Sequence, residues 1–434
     1  MNSNERREAR YQRRKAEREK RKAATELIYG DYNEVFTFEH LYAAYKDCCK
    51  GVGWKASTQR YKANALLNVV NTLDAVRSGK FKSKGFIEFD IIEKGKERHI
   101  KSVHISERVV QRCLCDYSLV PVFSNCFIYD NGACMKGRGI TFAEERLVKH
   151  LKQHYRKYGN EGYALMFDFS KYFDSINHEK LKAIIDGYYG DKRLAGFVKR
   201  LVDDFGGEKG LGLGSQISQV SALRFASKLD HYIKEVLRIK GYGRYMDDGY
   251  MLHPDKTYLQ KCLADLREIC DCLGITPNKK KTQIVKLSKG ITFLKHRFIL
   301  TDKGKVVILP ARKNIVRQRR KLKKFKQWYD EGKMTLASIK QSYQSWRSSI
   351  MPNKKKKKAK KQKFKIQCNA KRTLKSMDRL FIQLFYKEKR MENTEPVITI
   401  ENICQACEKG PCEEPCAVWY DCLEGKEIKA EDLV

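Results

Sequence analysis

The stretch YGRYMDDGYML, residues 242–252, sets two adjacent aspartates inside a run of aromatic and aliphatic side chains. Adjacent carboxylates repel each other, and each loses hydration when it is drawn toward a core. The flanks nevertheless have the composition of paired strands. The stretch therefore reads as strand, tight turn, strand, with Asp247 and Asp248 at the turn. A cation or a cationic partner must account for the pair. A third carboxylate is placed in the same way. GYALMFDFSKYFDSINHEKL begins as an apolar run of strand length and reaches Asp168 at its end, with a helix following from Ser175 or Asn177. Two strand ends in one sheet can bring the three together. Divalent cations would relieve their repulsion, and Mg²⁺ takes oxygen ligands, commonly carboxylates plus substrate phosphates. Two such ions ~3.5–4 Å apart can stabilise both oxygens of an in-line phosphoryl displacement. The chain holds its own contrast in LVDDFGG. There Asp203 and Asp204 follow a helix and precede two glycines, which is ordinary turn chemistry.

Charge points the same way. The 434 residues include 89 Lys plus Arg against 52 Asp plus Glu, a formal net charge of +37. Such an excess calls for a polyanion, nucleic acid first and an anionic membrane surface second. No apolar run approaches the ~20 residues of a membrane span. The segment MNSNERREARYQRRKAEREKRKAA has no apolar core of a secretion signal. Fifteen scattered cysteines without such a signal are expected as reduced thiols. The expectation is a soluble, cytoplasmic, nucleic-acid-facing protein with no membrane partner. Its 42% hydrophobic content is enough for two or three lobes.

Residues 5–22 are charge-dense and helix-prone without an apolar stripe and read as a solvated arm. GFIEFDIIEKGKERHIKSVHI alternates like a β-hairpin turning at EKGKE. SERVVQRCLCDYSLVPVF reads as a helix capped by Ser106 and stopped by Pro121. The glycine-rich GLGLGSQISQ leads into a helix on which Ala222, Ala226, Leu229, Ile233 and Val236 share a face. DKTYLQKCLADLREICDCLGI reads as an amphipathic helix ended by Gly274, and GITFLKHRFILTDKGKVVIL as paired strands. After Pro310 the pattern turns helical and basic, interrupted by MPNKKKKKAKKQKFK.

Taken in order, FDFSKYF, GLGLGSQISQ, YMDD, NKKKTQI and GITFLKHRF resemble the successive palm motifs of reverse transcriptases. KERHIKSVHISERVVQ and KGRGITFAEE resemble the fingers motifs of that family. The LGxxxSQ form of the loop, with YMDD, is closest in style to diversity-generating retroelement enzymes and related bacterial or phage defence types. Lys295 in FLKH stands where the family often has Gly. The resemblance implies an α+β right-hand polymerase. The expected divisions are a basic arm at 1–25, N-terminal helices and fingers at 26–160, a palm at 161–305, a basic helical thumb at 306–390 and an acidic, cysteine-rich tail at 391–434.

By the same resemblance Asp168, Asp247 and Asp248 hold two Mg²⁺ ions with the Phe169 carbonyl. Lys281 is the proton donor to the departing pyrophosphate, with Lys279 and Lys280 as rivals. Lys96 and Arg98, in a K-x-R pattern, form the triphosphate clamp. Arg suits a bidentate grip on phosphate and Lys a point charge. Phe173, five residues after Asp168, is the steric gate against the 2′-hydroxyl, or else plain core. Gly212, Gly214, Ser215 and Gln219 form the loop against the base pair or incoming nucleotide. Tyr245 touches the primer end or packs in the core. The implied activity is RNA-templated DNA synthesis from dNTPs on a DNA or RNA primer, with a cognate structured RNA or accessory protein as a further partner. Two other readings stand beside it. One is a template-independent or protein-primed polymerase of a phage-defence system. The other is a non-catalytic RNA-binding scaffold, against which the three intact aspartates argue.

The tail differs from everything before it. Residues 392–434 hold 11 acidic and 3 basic side chains, a net of −8, so the rest of the chain carries +45. Its Cys404, Cys407, Cys412 and Cys416 supply enough thiolates for a tetrahedral Zn²⁺ site, or remain unligated. Truncation after Arg390 should leave a folded chain. If the acidic tail competes with nucleic acid for the basic helices, truncation should also tighten RNA binding at low salt. Metal analysis and RNA binding on both proteins check this: an insoluble truncated protein would place the tail in the core.

Overall fold

The computed structural model describes residues 3–93, 95–350 and 369–386. The cysteine-rich tail and the lysine run lie outside them. The fold is α+β, and its contacts divide into two units. One comprises the described residues up to Asn314 with Ile350, Asn369 and Ala370. The other comprises Ile315–Ser349 with the described residues from Lys371.

Strands β1 (Phe86–Glu93) and β2 (Lys96–Val103) form an antiparallel hairpin in which Glu93 faces Lys96. The central sheet of the first unit contains β3 (Tyr163–Phe167), β5 (Gly241–Tyr245), β6 (Asp248–His253) and β8 (Gln283–Lys286), in the order β5-β6-β3-β8. Two short strands, β4 (Phe169–Ser170) and β7 (Thr276–Pro277), pair beside it. A second sheet is built from β9 (Ile291–Phe293), β10 (His296–Leu300) and β11 (Val306–Pro310). Ala164, Leu165, Phe167, Tyr250 and Met251 are buried, so the central strands read as apolar runs rather than as a clean alternation. The helix Ile140–Tyr158 packs on β5 and β6, and Lys256–Leu273 packs on β3, β6 and β8. The latter buries Leu259, Cys262, Leu266 and Cys270 at helical spacing, is capped by the Asp255 side chain, and ends at Gly274 with φ +77°.

Two expectations need correction. Pro121 does not stop the helix that begins at Ile105, and His104 rather than Ser106 caps it. A π turn at Cys115–Leu119 intervenes, and Pro121 falls in the first turn of Val120–Ser124, where a missing N–H costs little. Val236 does not share the buried face of Ala222, Ala226, Leu229 and Ile233; it is 60% exposed. The helix is broken at Ala226, and Tyr232–Val236 is a π turn. A π turn carries one extra residue, which rotates the later side chains by about 100°. As expected, the N-terminal arm is a largely exposed helix, Ser3–Tyr29; its later turns are also fastened to the body. Arg18 pairs with Glu235, the Glu26 carboxylate accepts from the Gly190 N–H at 2.6 Å, and Asn125 donates to the Thr25 hydroxyl at 2.7 Å.

The second unit is built from the helices Arg312–Asp330, Leu336–Ile350 and Lys371–Phe385. Leu322, Phe325, Ile339, Tyr343, Met377 and Phe381 form its core, with the Tyr343 and Phe381 rings stacked at 4.5 Å.

The register of β3 on β6 sets Phe167 opposite Gly249. Any Cβ at Gly249 would collide with the Phe167 ring. Gly249→Ala should therefore lower the denaturation midpoint by the equivalent of ~1–3 kcal/mol. A midpoint within ~0.5 kcal/mol of the parent, the usual range for neutral surface changes, would mean that the ring moves aside.

Candidate active site

Asp168 directly follows β3, and the two-residue turn Met246–Asp247 joins β5 to β6, where Tyr245 pairs with Asp248. Because β3 and β6 are hydrogen-bonded neighbours, the three carboxylates meet at one edge of the central sheet. Asp168 is 4% exposed, and its backbone carbonyl accepts from the Asn278 N–H at 2.7 Å. Of the three successive lysines, Lys281 reaches the site: its Nζ lies 2.6 Å from Asp168 Oδ2. Asn278 shapes that loop by accepting from the backbone N–H groups of Lys280 and Lys281. A cavity of about 270 Å³ opens beside the carboxylates, lined by Asp168, Asp248, Lys281, Gln283, Thr292 and Leu294 among others.

The electrostatics follow from this crowding. Burial raises the Asp248 pKa to about 7, with further contributions from the charges of Asp247 and Asp168 and a hydrogen bond to Asp168. Burial and the Asp168 charge also raise Asp247, against the lowering influence of Lys281 and Arg98. Burial alone would lower the Lys281 ammonium, but its bond to Asp168 and the three carboxylate charges raise it. Among the described residues no three His, Cys, Asp or Glu side chains stand as a finished metal cage. The donor set nevertheless fits a hard divalent cation: three partly dehydrated carboxylates carry charge that one ammonium does not balance.

The remaining expected site residues fall into two groups. Arg98 stands on β2, exposed and 3.1 Å from Glu93, and is close enough to act on Asp247. Lys96 lies on the same strand, but its side chain is outside the described residues. Phe169 is buried on β4, paired with Pro277. Phe173 is half-buried against the core, and its carbonyl accepts from the Leu211 N–H at 2.9 Å. Gln219 is exposed on the helix Gln216–Phe225, where it accepts from the Cys134 thiol at 3.4 Å. Tyr245 is half-buried, and burial raises its phenol pKa. The glycine loop has a nearer neighbour than any substrate. Gly214, at φ +115°, lies so that a Cβ would sit 3.0 Å from the Lys101 carbonyl. Lys101 N–H donates to Leu213 O at 2.9 Å, so the loop is stitched to β2. The turn that holds Lys295 forms without glycine: Leu294 takes the positive φ, +54°.

Some of the supporting contacts had no signal in the sequence. Ser215 caps the helix after the loop and donates to Gln111 Oε1 at 3.0 Å, across 104 positions. Gln111 in turn donates to Glu107, which also accepts from Ser83 and from the Lys84 N–H. This buried polar chain ties the base of the hairpin to the loop. In the second unit Arg319, Arg320, Lys323, Arg372, Lys375 and Arg379 line a groove of about 750 Å³.

Carboxylates gathered at neighbouring strand ends, with a lysine and an arginine-bearing hairpin around them, form an anionic cleft suited to divalent cations on an α+β fold. Residues 84–298, just under half of the chain, match the sequence model of the family described as reverse transcriptase (RNA-dependent DNA polymerase). That match indicates an RNA-directed DNA polymerase, a nucleotidyltransferase. Similar solved structures include those of apo telomerase from Candida tropicalis and of that protein truncated from the C-terminal domain. Identities are 12% and 14%, and the TM-score is 0.40 in both. The alignments cover 56% and 57% of this chain, and 53% and 60% of those. The chain thus spans less than two thirds of their length. A search of curated proteins finds no match. Among the described residues, no helix is long and apolar enough to cross a membrane.

The raised Asp248 pKa has a consequence for stability. Without metal, folded Asp248 keeps its proton up to about pH 7, whereas the unfolded chain loses it near ~3.9. The unfolded state then binds fewer protons, so stability falls as pH rises from about 4 to about 7 and levels off above. Asp248→Asn removes this loss. With chelator present, its melting midpoint should exceed the parent's at pH 8, and the gap should close toward pH 4. An equal gap at both pH values would show that Asp248 does not titrate in this window.

Proposed function

We propose that the protein copies RNA into DNA, adding dNTPs to a primer 3′ end at the site formed by Asp168, Asp247 and Asp248. The observation that carries the reading is the convergence of these carboxylates from two neighbouring strand ends with Lys281 against Asp168. Divalent ions, Mg²⁺ in the first instance and two in number, would be held by the three aspartates with the Phe169 carbonyl and would stabilise the attacking and leaving oxygens. The chain's own groups do the rest. Arg98, with Lys96, holds the triphosphate from the hairpin side. Lys281 supplies a proton to the departing pyrophosphate, and its raised pKa keeps it charged for that task. Phe173 lies against the sugar and excludes a 2′-hydroxyl. Gln219 and Tyr245 border the nucleotide and primer, while Gly214 lets the loop close on the hairpin that carries Arg98.

In this reading residues 26–160 act as fingers, 161–305 as palm and 306–390 as thumb. The basic groove of the second unit suits sequence-independent contact with phosphates, with binding that weakens steeply as salt rises. The LGxxxSQ loop with YMDD supports a place near the diversity-generating retroelement and defence enzymes. A structured RNA beside template and primer fits the +37 charge.

Two substitutions test the assignment. Asp247→Asn should reduce primer extension on an RNA template by at least ~10³-fold while RNA affinity stays within ~2-fold, since one ligand charge is lost and the phosphate-binding surface is untouched. Extension at the parent rate would remove Asp247 from the chemistry. Phe173→Ala should admit rNTPs without loss of dNTP use. Unchanged selectivity in a folded variant would make Phe173 core and place the gate elsewhere.

A further inference from the structure

Arg244 is among the largest fully buried side chains of the described residues, at 1% exposure, and lies three residues before Asp247. Its partner Asp230 is at 0%. The two form a bidentate pair, Arg244 Nε to Asp230 Oδ1 at 2.7 Å and Nη2 to Oδ2 at 2.6 Å. The Tyr242 hydroxyl also donates to Asp230, at 2.5 Å. Nη2 further reaches the Leu223 carbonyl at 3.3 Å. That leaves Nη1, which donates to the Met246 carbonyl at 2.6 Å.

This last contact falls on the peptide that joins Met246 to Asp247. Met246 has φ +54°, a region that a side chain of this kind rarely occupies without support from its surroundings. The backbone of Arg244 is itself fixed on both sides. Its N–H donates to Asp130 O at 3.2 Å, and its carbonyl accepts from Gly132 N–H at 2.9 Å. A buried ion pair is weak evidence for stability, because a well-packed apolar pair often does as well. The planar guanidinium does something an apolar residue cannot: it spans Asp230 and the turn with fixed geometry.

We propose that Arg244, oriented by Asp230, is a positioning residue that fixes the Met246–Asp247 peptide and so aims the Asp247 and Asp248 carboxylates. The proposal rests on the reading of these aspartates as the cation and nucleotidyl-transfer site. Arg244 touches no substrate; it acts through the turn.

The test compares the full-length parent, Arg244→Lys and the triple variant Arg244→Met, Asp230→Leu, Tyr242→Phe. The triple variant replaces the pair with apolar volume, and the Tyr242 change avoids an orphaned hydroxyl. Folding is followed by denaturation, Mn²⁺ affinity by calorimetry, and kcat and dNTP KM by primer extension. The triple variant should fold, bind Mn²⁺ at least ~10-fold more weakly, and lose ~10- to 100-fold in kcat with little change in KM, the scale of a small misplacement of reacting groups. Arg244→Lys, which keeps Asp230 paired, should lose less in the same direction. A folded triple variant with parental Mn²⁺ affinity and kcat would show that the pair merely fills the core. Should the triple variant not fold, parental behaviour of Arg244→Lys would overturn the proposal in the same way. A parent that binds Mn²⁺ but extends no primer would sink the polymerase reading, while the Mn²⁺ comparison still decides the role of Arg244. A parent that does neither overturns both.

Discussion

Three carboxylates share one partly dehydrated sheet edge, and the rest of the first unit is arranged around that repulsion. Asp248 is pushed to about 7 by burial and by its two neighbours, so the metal-free fold carries an electrostatic strain of its own making. Lys281 offsets part of it through Asp168, and Arg98 contributes from the hairpin. Neither neutralises the set. Function and stability pull apart here, as they do wherever a site must stay charged before its ligand arrives. The sheet tolerates the strain because its register is held elsewhere, by Phe167 against Gly249 and by the pairing of β3 with both β6 and β8.

The hairpin side of the site is one connected piece. The glycine loop is bonded to β2 through Leu213 and Lys101, and the helix after it is capped by Ser215, which leans on Gln111 and through it on Glu107. Any movement of the hairpin that bears Arg98 is therefore felt at the loop. Polar chains of this kind fix geometry when every member is satisfied, and they are costly when one is removed.

Much of this was legible in the sequence because it depends on local pattern. The apolar run into Asp168, the two aspartates at a strand turn, the hairpin at residues 86–103 and the helix closed by Gly274 each announce themselves within about 20 residues. Two of the misreadings share one cause. Pro121 follows one π turn and Val236 ends another, and the extra residue of such a turn shifts the helical phase without any marker in composition. The supporting contacts were hidden for another reason. Ser215 and Gln111 are 104 positions apart and Lys281 and Asp168 are 113 apart, so only the folded chain pairs them. Arg244 stood in the opening stretch, but nothing local distinguishes a buried arginine from one meant for phosphate.

The most direct test of the account is single-nucleotide addition by the full-length protein on a primer annealed to RNA templates that differ only in the next base. Each dNTP is supplied alone with Mg²⁺. The account predicts that only the complementary dNTP is added, for each of the four template bases. Addition of the same nucleotide whatever the template base, or no addition at any template, would contradict it.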